Sequence, residues 1–356
     1  MGDVFHKVTR PACIVLFQRA KWVKHSIRVA DLSNYSKAEK PVQITNSANF
    51  VDVTQADINN VPGLVFVTSS LAPYSLWAKV RTSPHDPLER LVDEDGIQRG
   101  VSPDLKDAFL VDSKTAKKAR LESVKLRPVL TGGKHVRRYY IDRPDLLLIY
   151  TNRDDDVRQL PNIRAYIDQF RSRITCKEVK QEKHSIYSLH RARDEQIFLK
   201  PTKLIGVITE DEIVVAPDDQ QTFATDGLYL FALRHASDAD YVLGILNSRL
   251  FVFLYRLLAI ETGRVLAQVK PTVLSQLPIR KLDMLDRGDK GRRDRMVSLV
   301  ERMLDLHKRL AEAKTAHGKT NIQRQIDVTD EQIDNLVYEL YGLSEDEIKV
   351  VKAAAR

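Results

Sequence analysis

The apolar pattern divides the chain into a mixed front portion and a helical rear. Residues 1–45 read as strands: "ACIVLFQ" (12–18) is a short β-rich run, and "SIRVADLS" (26–33) predicts a second strand. Two short strands do not make a domain, so they belong to the edge of something larger. Prolines and asparagines then mark turns up to about residue 90, and "DPLERLVDED" predicts a short helix. "GIQRGV", "AFLVD", "KLRPVLTGG", "RRYYID" and "DLLLIYT" predict paired strands over residues 95–150, with Gly132 and Gly133 at a tight hairpin turn. "LPNIRAYIDQFRSRIT" changes to helical period through Ile163, Ile167, Phe170 and Ile174. Strands return at "KLIGVIT", "EIVVAPD" and "TFATDGLYLFALR". A buried helix then runs over "YVLGILNSRLFVFLYRLLAI" (241–260), with Asp238 as its N-cap.

From about residue 285 the texture is helical. "DRGDKGRRDR" reads as a charged linker. Met296, Leu299, Val300, Met303, Leu304 and Leu310 form one apolar stripe, Ile322 and Ile326 a second helix, and Ile333, Leu336, Val337 and Leu340 a third. Thr329 with Gln332 fits a capping box, Gly342 a helix stop, and Ser344 with Glu347 a capping box for the last helix. The expected class is α+β: mixed, mostly antiparallel sheets with packed helices, followed by a C-terminal helical bundle.

The chain has 356 residues, 43% of them hydrophobic, enough to bury a large core in two or three domains. It carries a net charge of +8, which favours an acidic partner such as nucleic acid. Its two cysteines, Cys13 and Cys176, form no CxxC or His/Cys metal spacing. We expect no metal and no disulfide framework, and the usage suits a reducing cytoplasm. No apolar run reaches transmembrane length, because Asn247, Ser248, Arg249 and Arg256 break the longest one. No signal-peptide pattern opens the chain, so no membrane association is expected.

Candidate chemistry is sparse. The phosphate-cradling loops, the G-x-S-x-G elbow and H-E-x-x-H are absent. Asp104, Asp112 and Lys114 echo the carboxylates and lysine of a metal-dependent nuclease, but a surface turn followed by a strand end explains them equally well. The histidines are scattered, and no catalytic residue is assigned. Basic segments stand out instead: "GGKHVRRYY", and residues 170–203 with Arg171, Arg173, Lys177, Lys180, Lys183, Arg191, Arg193, Lys200 and Lys203. Charge alone leaves two readings open. One is a face that meets phosphates and base edges; the other is a solvated face bridged to Glu178, Glu182 and Glu195.

Several phrases in chain order are similar to one family. "GIQRGVSPDLKDAFLV", "LRPVLTGGKHVRRYY", "LPNIRAYIDQFRSRI", "YSLHRARDEQIFLKPTKLI", "YVLGILNSRLFVFLYR", "LSQLPIRKL" and "IDNLVYELYGLSEDEIKVV" resemble the TaqI-like C-terminal specificity domain. That domain occurs in adenine-specific DNA methyltransferases and type IIG restriction–modification enzymes. "VFHKVTRPACIVLFQR" resembles the last strands of their catalytic domain. The resemblance implies a remnant of that domain at 1–45, a DNA target recognition domain at 46–285 and a helical subdomain at 286–356. Such enzymes use S-adenosylmethionine and a D/N-P-P-Y/F motif. No "NPP" or "DPP" occurs in this sequence, so no cofactor and no independent methyl transfer are expected of this chain.

The implied role is reading double-stranded DNA, alone or docked through the C-terminal helices to a separate methyltransferase or nuclease subunit. The family positions point to Lys134, Arg137, Arg138, Arg191, Arg193, Lys200 and Lys203 as DNA contacts. Lys203 matches only loosely, since "PTK" inserts a threonine. Asn247 and Ser248 are expected to satisfy polar groups in the core rather than touch DNA.

Overall fold

The computed structural model describes residues 26–30, 32, 35–36, 38–54, 72–210, 212–259 and 267–354. The strand expected at residues 12–18 lies outside them. The chain forms two compact units, residues 1–83 and 84–356. In the first, β1 (Ser26–Ala30) pairs antiparallel with β2 (Phe50–Thr54), and α1 spans Ala72–Thr82. All that follows concerns the second unit.

Two four-stranded sheets form its centre. One has the order β11 (Val215–Asp218), β10 (Lys203–Val207), β13 (Leu228–Phe231), β4 (Gln98–Arg99), all antiparallel. All five residues of β10 are buried, which explains why "KLIGV" reads as a continuous apolar run rather than an alternation. The other sheet has the order β12 (Phe223–Ala224), β6 (Leu126–Leu130), β9 (Leu147–Ile149), β5 (Leu110–Val111). Here β12 runs parallel to β6, and the other pairs are antiparallel. Phe109, Tyr150, Ile163, Phe198 and Phe223 join the two sheets in one apolar core. Each such side chain contributes about 1.5–3 kcal/mol by leaving water. Ile163 and Ile167 reach that core from α2 (Pro161–Asp168), as their spacing predicts.

The strand expected to pair across the glycines pairs elsewhere. β6 bonds to β9, while β7 (Val136–Arg137) and β8 (Tyr140–Ile141) form a separate small hairpin whose two-residue loop is Arg138–Tyr139. Gly132 and Gly133 precede it. "AFLVD" also differs, since Lys106–Phe109 is one helical turn before β5 begins. "TFATDGLYLFALR" is two strands, β12 and β13, separated by the turn at Thr225–Gly227.

The buried helix is broken. α3 (Ala239–Leu246) and α4 (Arg249–Ala259) meet at 74°. The cause is Asn247, which is fully buried and bonds both backbone groups of Val215: Nδ2 donates to its carbonyl (2.9 Å) and Oδ1 accepts from its N–H (3.1 Å). Both residues singled out for polar satisfaction do that work, Ser248 Oγ donating to the Ile245 carbonyl at 2.7 Å. Asp238 makes no side-chain cap; it ends a 3-10 turn, and its carboxylate lies 3.4 Å from Arg293. Among the described residues no single helix is long and apolar enough to cross a membrane.

The rear is a helical hairpin. α5 (Arg287–Glu312) starts inside the segment read as a linker, because Asp286 caps it by accepting from the Asp289 N–H at 2.7 Å. α6 (Ala316–Leu340) is one helix where two were expected. Thr329 sits buried in its middle and donates to the Gln325 carbonyl (2.8 Å), a bond that lets threonine continue a helix instead of capping one. The end is as predicted: Gly342 N–H bonds the Glu339 carbonyl, and Leu343 N–H that of Tyr338. Ser344 and Glu347 then exchange hydrogen bonds at the start of α7 (Glu345–Ala354).

Candidate nucleic-acid interface

β6 leads into a turn over Gly132–His135, closed by the His135 N–H on the Gly132 carbonyl (3.0 Å). Gly132 has φ +129°, a backbone that other residues adopt only with strain. The buried His135 ring accepts from the Thr131 N–H at 3.2 Å, and burial followed by the Lys134 charge holds its pKa down. The neutral ring therefore locks the turn. Lys134 occupies its outer corner, exposed, and Arg137 is exposed at the end of β7. Neither joins an ion pair among the described residues.

A second group of cations gathers around the bridge between Ser102 and Arg191. Arg99 stands on β4 opposite Tyr229. Gly100 follows it because a Cβ there would run into the carbonyl oxygens of Ala224 and Thr225. Arg193 has φ +64°, a left-handed conformation costing about 1–2 kcal/mol for a non-glycine residue. It is held there from two sides: Tyr150 Oη donates to its carbonyl (3.1 Å), and its own Nε donates to the Gly100 carbonyl (3.3 Å). Burial, then the charges of Arg191 and Arg99, push its pKa down, against one opposing carboxylate, Asp226. Asp226 accepts from Ser102 Oγ at 2.9 Å. Arg99 and Arg191 are exposed and have no carboxylate partner among the described residues.

The two groups meet at one end of the second sheet. Thr225 N–H bonds the Leu130 carbonyl (2.9 Å), and Val101 bridges Thr225. The Cβ position of Gly227 lies 3.7 Å from the Gly132 Cα. The Thr225–Gly227 turn therefore carries the Arg99–Arg191–Arg193 group on one side and the Lys134 turn on the other.

The other three expected contacts have internal partners. Arg138 ion-pairs with Asp330 of α6. Lys200 lies 2.8 Å from both Asp93 and Asp95, which raise its pKa. Lys203 is 1% exposed, donating to Asp218 (2.6 Å) and the Phe198 carbonyl (2.8 Å). Lys203 thus sits in the core, out of reach of any external ligand. Arg143 and Thr222 complete the shell around Asp218. The carboxylates of the nuclease-like echo are also engaged internally. Asp112 caps the helix Ser113–Lys118, accepting from Thr115 N–H at 2.6 Å, and Asp104 lies among His184 and His190. Among the described residues no group of three or more His, Cys, Asp or Glu side chains is placed to hold a metal.

Sequence reasoning missed Arg99 and Asp226. The signal for Arg99 was its place just before Gly100 in "GIQRG", where the backbone of Ala224 and Thr225 approaches too closely for any side chain. Nothing local marked Asp226.

Two solved restriction–modification enzymes are similar in structure to this chain over part of their length. MmeI, a type IIL enzyme solved in complex with DNA, is 12% identical, with 75% of this chain and 35% of that one covered, at a TM-score of 0.48. BpuSI, a type IIG restriction endonuclease, is 12% identical, with 89% and 40% covered, at 0.43. The chain spans two fifths or less of the length of these enzymes. No curated protein matches the sequence. Residues 127–279, which hold both the Lys134 turn and the Arg191–Arg193 segment, match the TaqI-like C-terminal specificity domain.

Proposed function

We propose that residues 84–356 read the sequence of double-stranded DNA for an adenine-N6 methyltransferase or type IIG restriction–modification system. Methyl transfer, with its S-adenosylmethionine, falls to a catalytic domain or subunit beyond the residues described. The observation that carries this reading is the Arg99–Arg191–Arg193 group. Arg99 and Arg191 press their charge on Arg193, which one carboxylate, Asp226, opposes, and Arg193 is held rigidly in a strained backbone. Such a cluster repels itself in the free protein and is relieved by a polyanion. Arg193, fixed at backbone and Nε, suits bidentate contact with a guanine edge. Arg99, Arg191, Lys134 and Arg137, on exposed flexible stems, suit phosphates.

The family match supports a specificity role for the same segment. Selection from randomised duplexes with the purified chain tests it. Enrichment of one sequence, with affinity falling steeply as salt rises, is expected; no enrichment at any salt removes the reading. Repeating the selection with a candidate methyltransferase subunit tests whether docking through the C-terminal helices sharpens the choice.

A further inference from the structure

The β7–β8 hairpin, which carries Arg137, ends on the helical hairpin. Both residues of its loop are engaged there: Arg138 pairs with Asp330 of α6, and the Tyr139 and Tyr140 rings stack on His307 of α5 at 6.2 and 6.3 Å. The backbone is held as well. Tyr139 has φ +65°, and its N–H bonds the Val215 carbonyl (3.0 Å), the same oxygen that Asn247 grips. Asp334, one turn beyond Asp330, accepts from the Arg249 N–H (2.8 Å) and so ties the start of α4 to the same stretch of α6. Between hairpin and helices lies an open groove of about 400 Å³, lined by Arg137, Arg138, Tyr139, Met303, His307 and Asp330 among others. The strands of the hairpin pack on β10 and β11, with Val136 and Ile141 in the core, and its loop side chains are fastened to the helices across the groove.

We infer that Asp330 is a positioning residue for DNA reading: through Arg138 it fixes the angle of the β7–β8 hairpin and hence where Arg137 and Lys134 meet the duplex. This rests on the reading under Proposed function. The physical reason is that Arg138 has one carboxylate within ion-pair reach among the described residues, and its Nε is buried without a hydrogen-bond partner in the protein. With Asp330 gone, a half-buried guanidinium loses its counter-charge and the loop is drawn toward solvent.

The test compares wild type with Asp330→Asn, Arg138→Met and the double variant. Two readouts are used: the ratio of affinities for the selected and a random duplex, and hydrogen–deuterium exchange over Val136–Ile141. Asp330→Asn is expected to lower the ratio about tenfold, the size of one lost orienting contact. Random-duplex affinity should stay within about twofold, because Asp330 itself faces no phosphate. Exchange over the hairpin should quicken while that of Leu204–Val207 stays unchanged. The double variant should be no worse than Arg138→Met, since both remove one pair. An intact ratio overturns the inference whatever the exchange does. A fallen ratio with unchanged hairpin exchange also overturns it, because Asp330 would then be a DNA contact. Should Asp330→Asn not fold, His307→Leu removes the ring stack on the same loop and must give the same two changes. Should wild type select no duplex, Proposed function falls, and the exchange comparison still decides whether Asp330 holds the hairpin.

Discussion

Replacing Arg99, Arg191 and Arg193 together by alanine removes a group of mutually repelling cations without touching the core. Arg99 and Arg191 are exposed and unpaired with acids among the described residues, so each loss should change stability by less than about 0.5 kcal/mol. Arg193 also gives up its bond to the Gly100 carbonyl, worth about 1 kcal/mol. Some of that returns as the like-charge crowding is relieved. DNA binding should respond far more strongly. If Arg99 and Arg191 each neutralise one phosphate, the slope of log affinity against log salt flattens by about 1.8. Between 50 and 200 mM salt this difference amounts to about 12-fold. Fluorescence anisotropy with a labelled duplex, titrated at four or five salt concentrations, reads the slope directly, and urea unfolding supplies the stability control. A variant that folds normally and keeps both the wild-type slope and the wild-type sequence preference would refute the assignment of this cluster to DNA.

Lys203→Met should behave in the opposite way. It takes the Lys203 charge and hydrogen bond from the buried Asp218 carboxylate, which keeps Arg143 and Thr222, costing about 1.5–3 kcal/mol in urea unfolding, while the folded fraction keeps its DNA affinity. Gly100→Ala drives a methyl group into the Ala224 and Thr225 carbonyls, costing about 1–3 kcal/mol and weakening binding by displacing Arg99 and Arg193. Burial raises the Asp334 pKa to about 6, so the stability it lends is present below its ordinary range near 4 and is lost as pH rises through 6. Asp334→Asn should therefore gain on wild type by up to roughly 3 kcal/mol between pH 4 and 7 in urea melts; a difference that does not vary with pH contradicts this. His307, pushed down to about 4 by burial, contributes with the opposite sign, its share returning as pH rises from 4 through 6.5. His307→Leu should accordingly lose relative stability over the same interval.

What could be read from the sequence followed the range of the physics involved. Local rules carried the Gly342 stop, the Ser344–Glu347 box and the α2 face, because each depends on residues within a turn or two. Thr329 misled for a local reason as well: its hydroxyl can bond the carbonyl one turn back as readily as it can cap. The basic residues were another matter. Residue type does not reveal that Arg138 meets Asp330, 192 positions away, or that Lys200 meets Asp93, 107 positions away. Lys203 carried a hint, since it opens an unbroken apolar run, and a cation leading a doubly covered strand goes inside with a partner. The pairing of β6 with β9 and β12 could not be read locally either, because a glycine pair marks a turn without naming the strands it joins.

The distinction between scaffold and interface therefore lies in the distribution of acids. Arg138, Arg143, Lys200 and Lys203 each have a carboxylate within 4 Å, and the first three tie together elements distant in sequence. Arg99, Arg191 and Arg193 have only Asp226 among them, and it is occupied in part by Ser102. Two unit charges 4 Å apart repel by about 4 kcal/mol at an effective dielectric constant of 20, and by less in open water. A free surface would relax that repulsion by letting the side chains splay. Arg193 cannot splay, because Tyr150 and Gly100 hold it and its backbone is already strained. Strain, partial burial and like charge fall on one residue, whose side chain bonds the Gly100 carbonyl and is not paired with a carboxylate within 4 Å among the described residues. An arrangement unfavourable in the free protein is accounted for when its balance is struck with the ligand bound. On the proposed reading, a phosphate-lined groove offering acceptor edges would supply the missing negative charge, with Arg193 contacting its base edges.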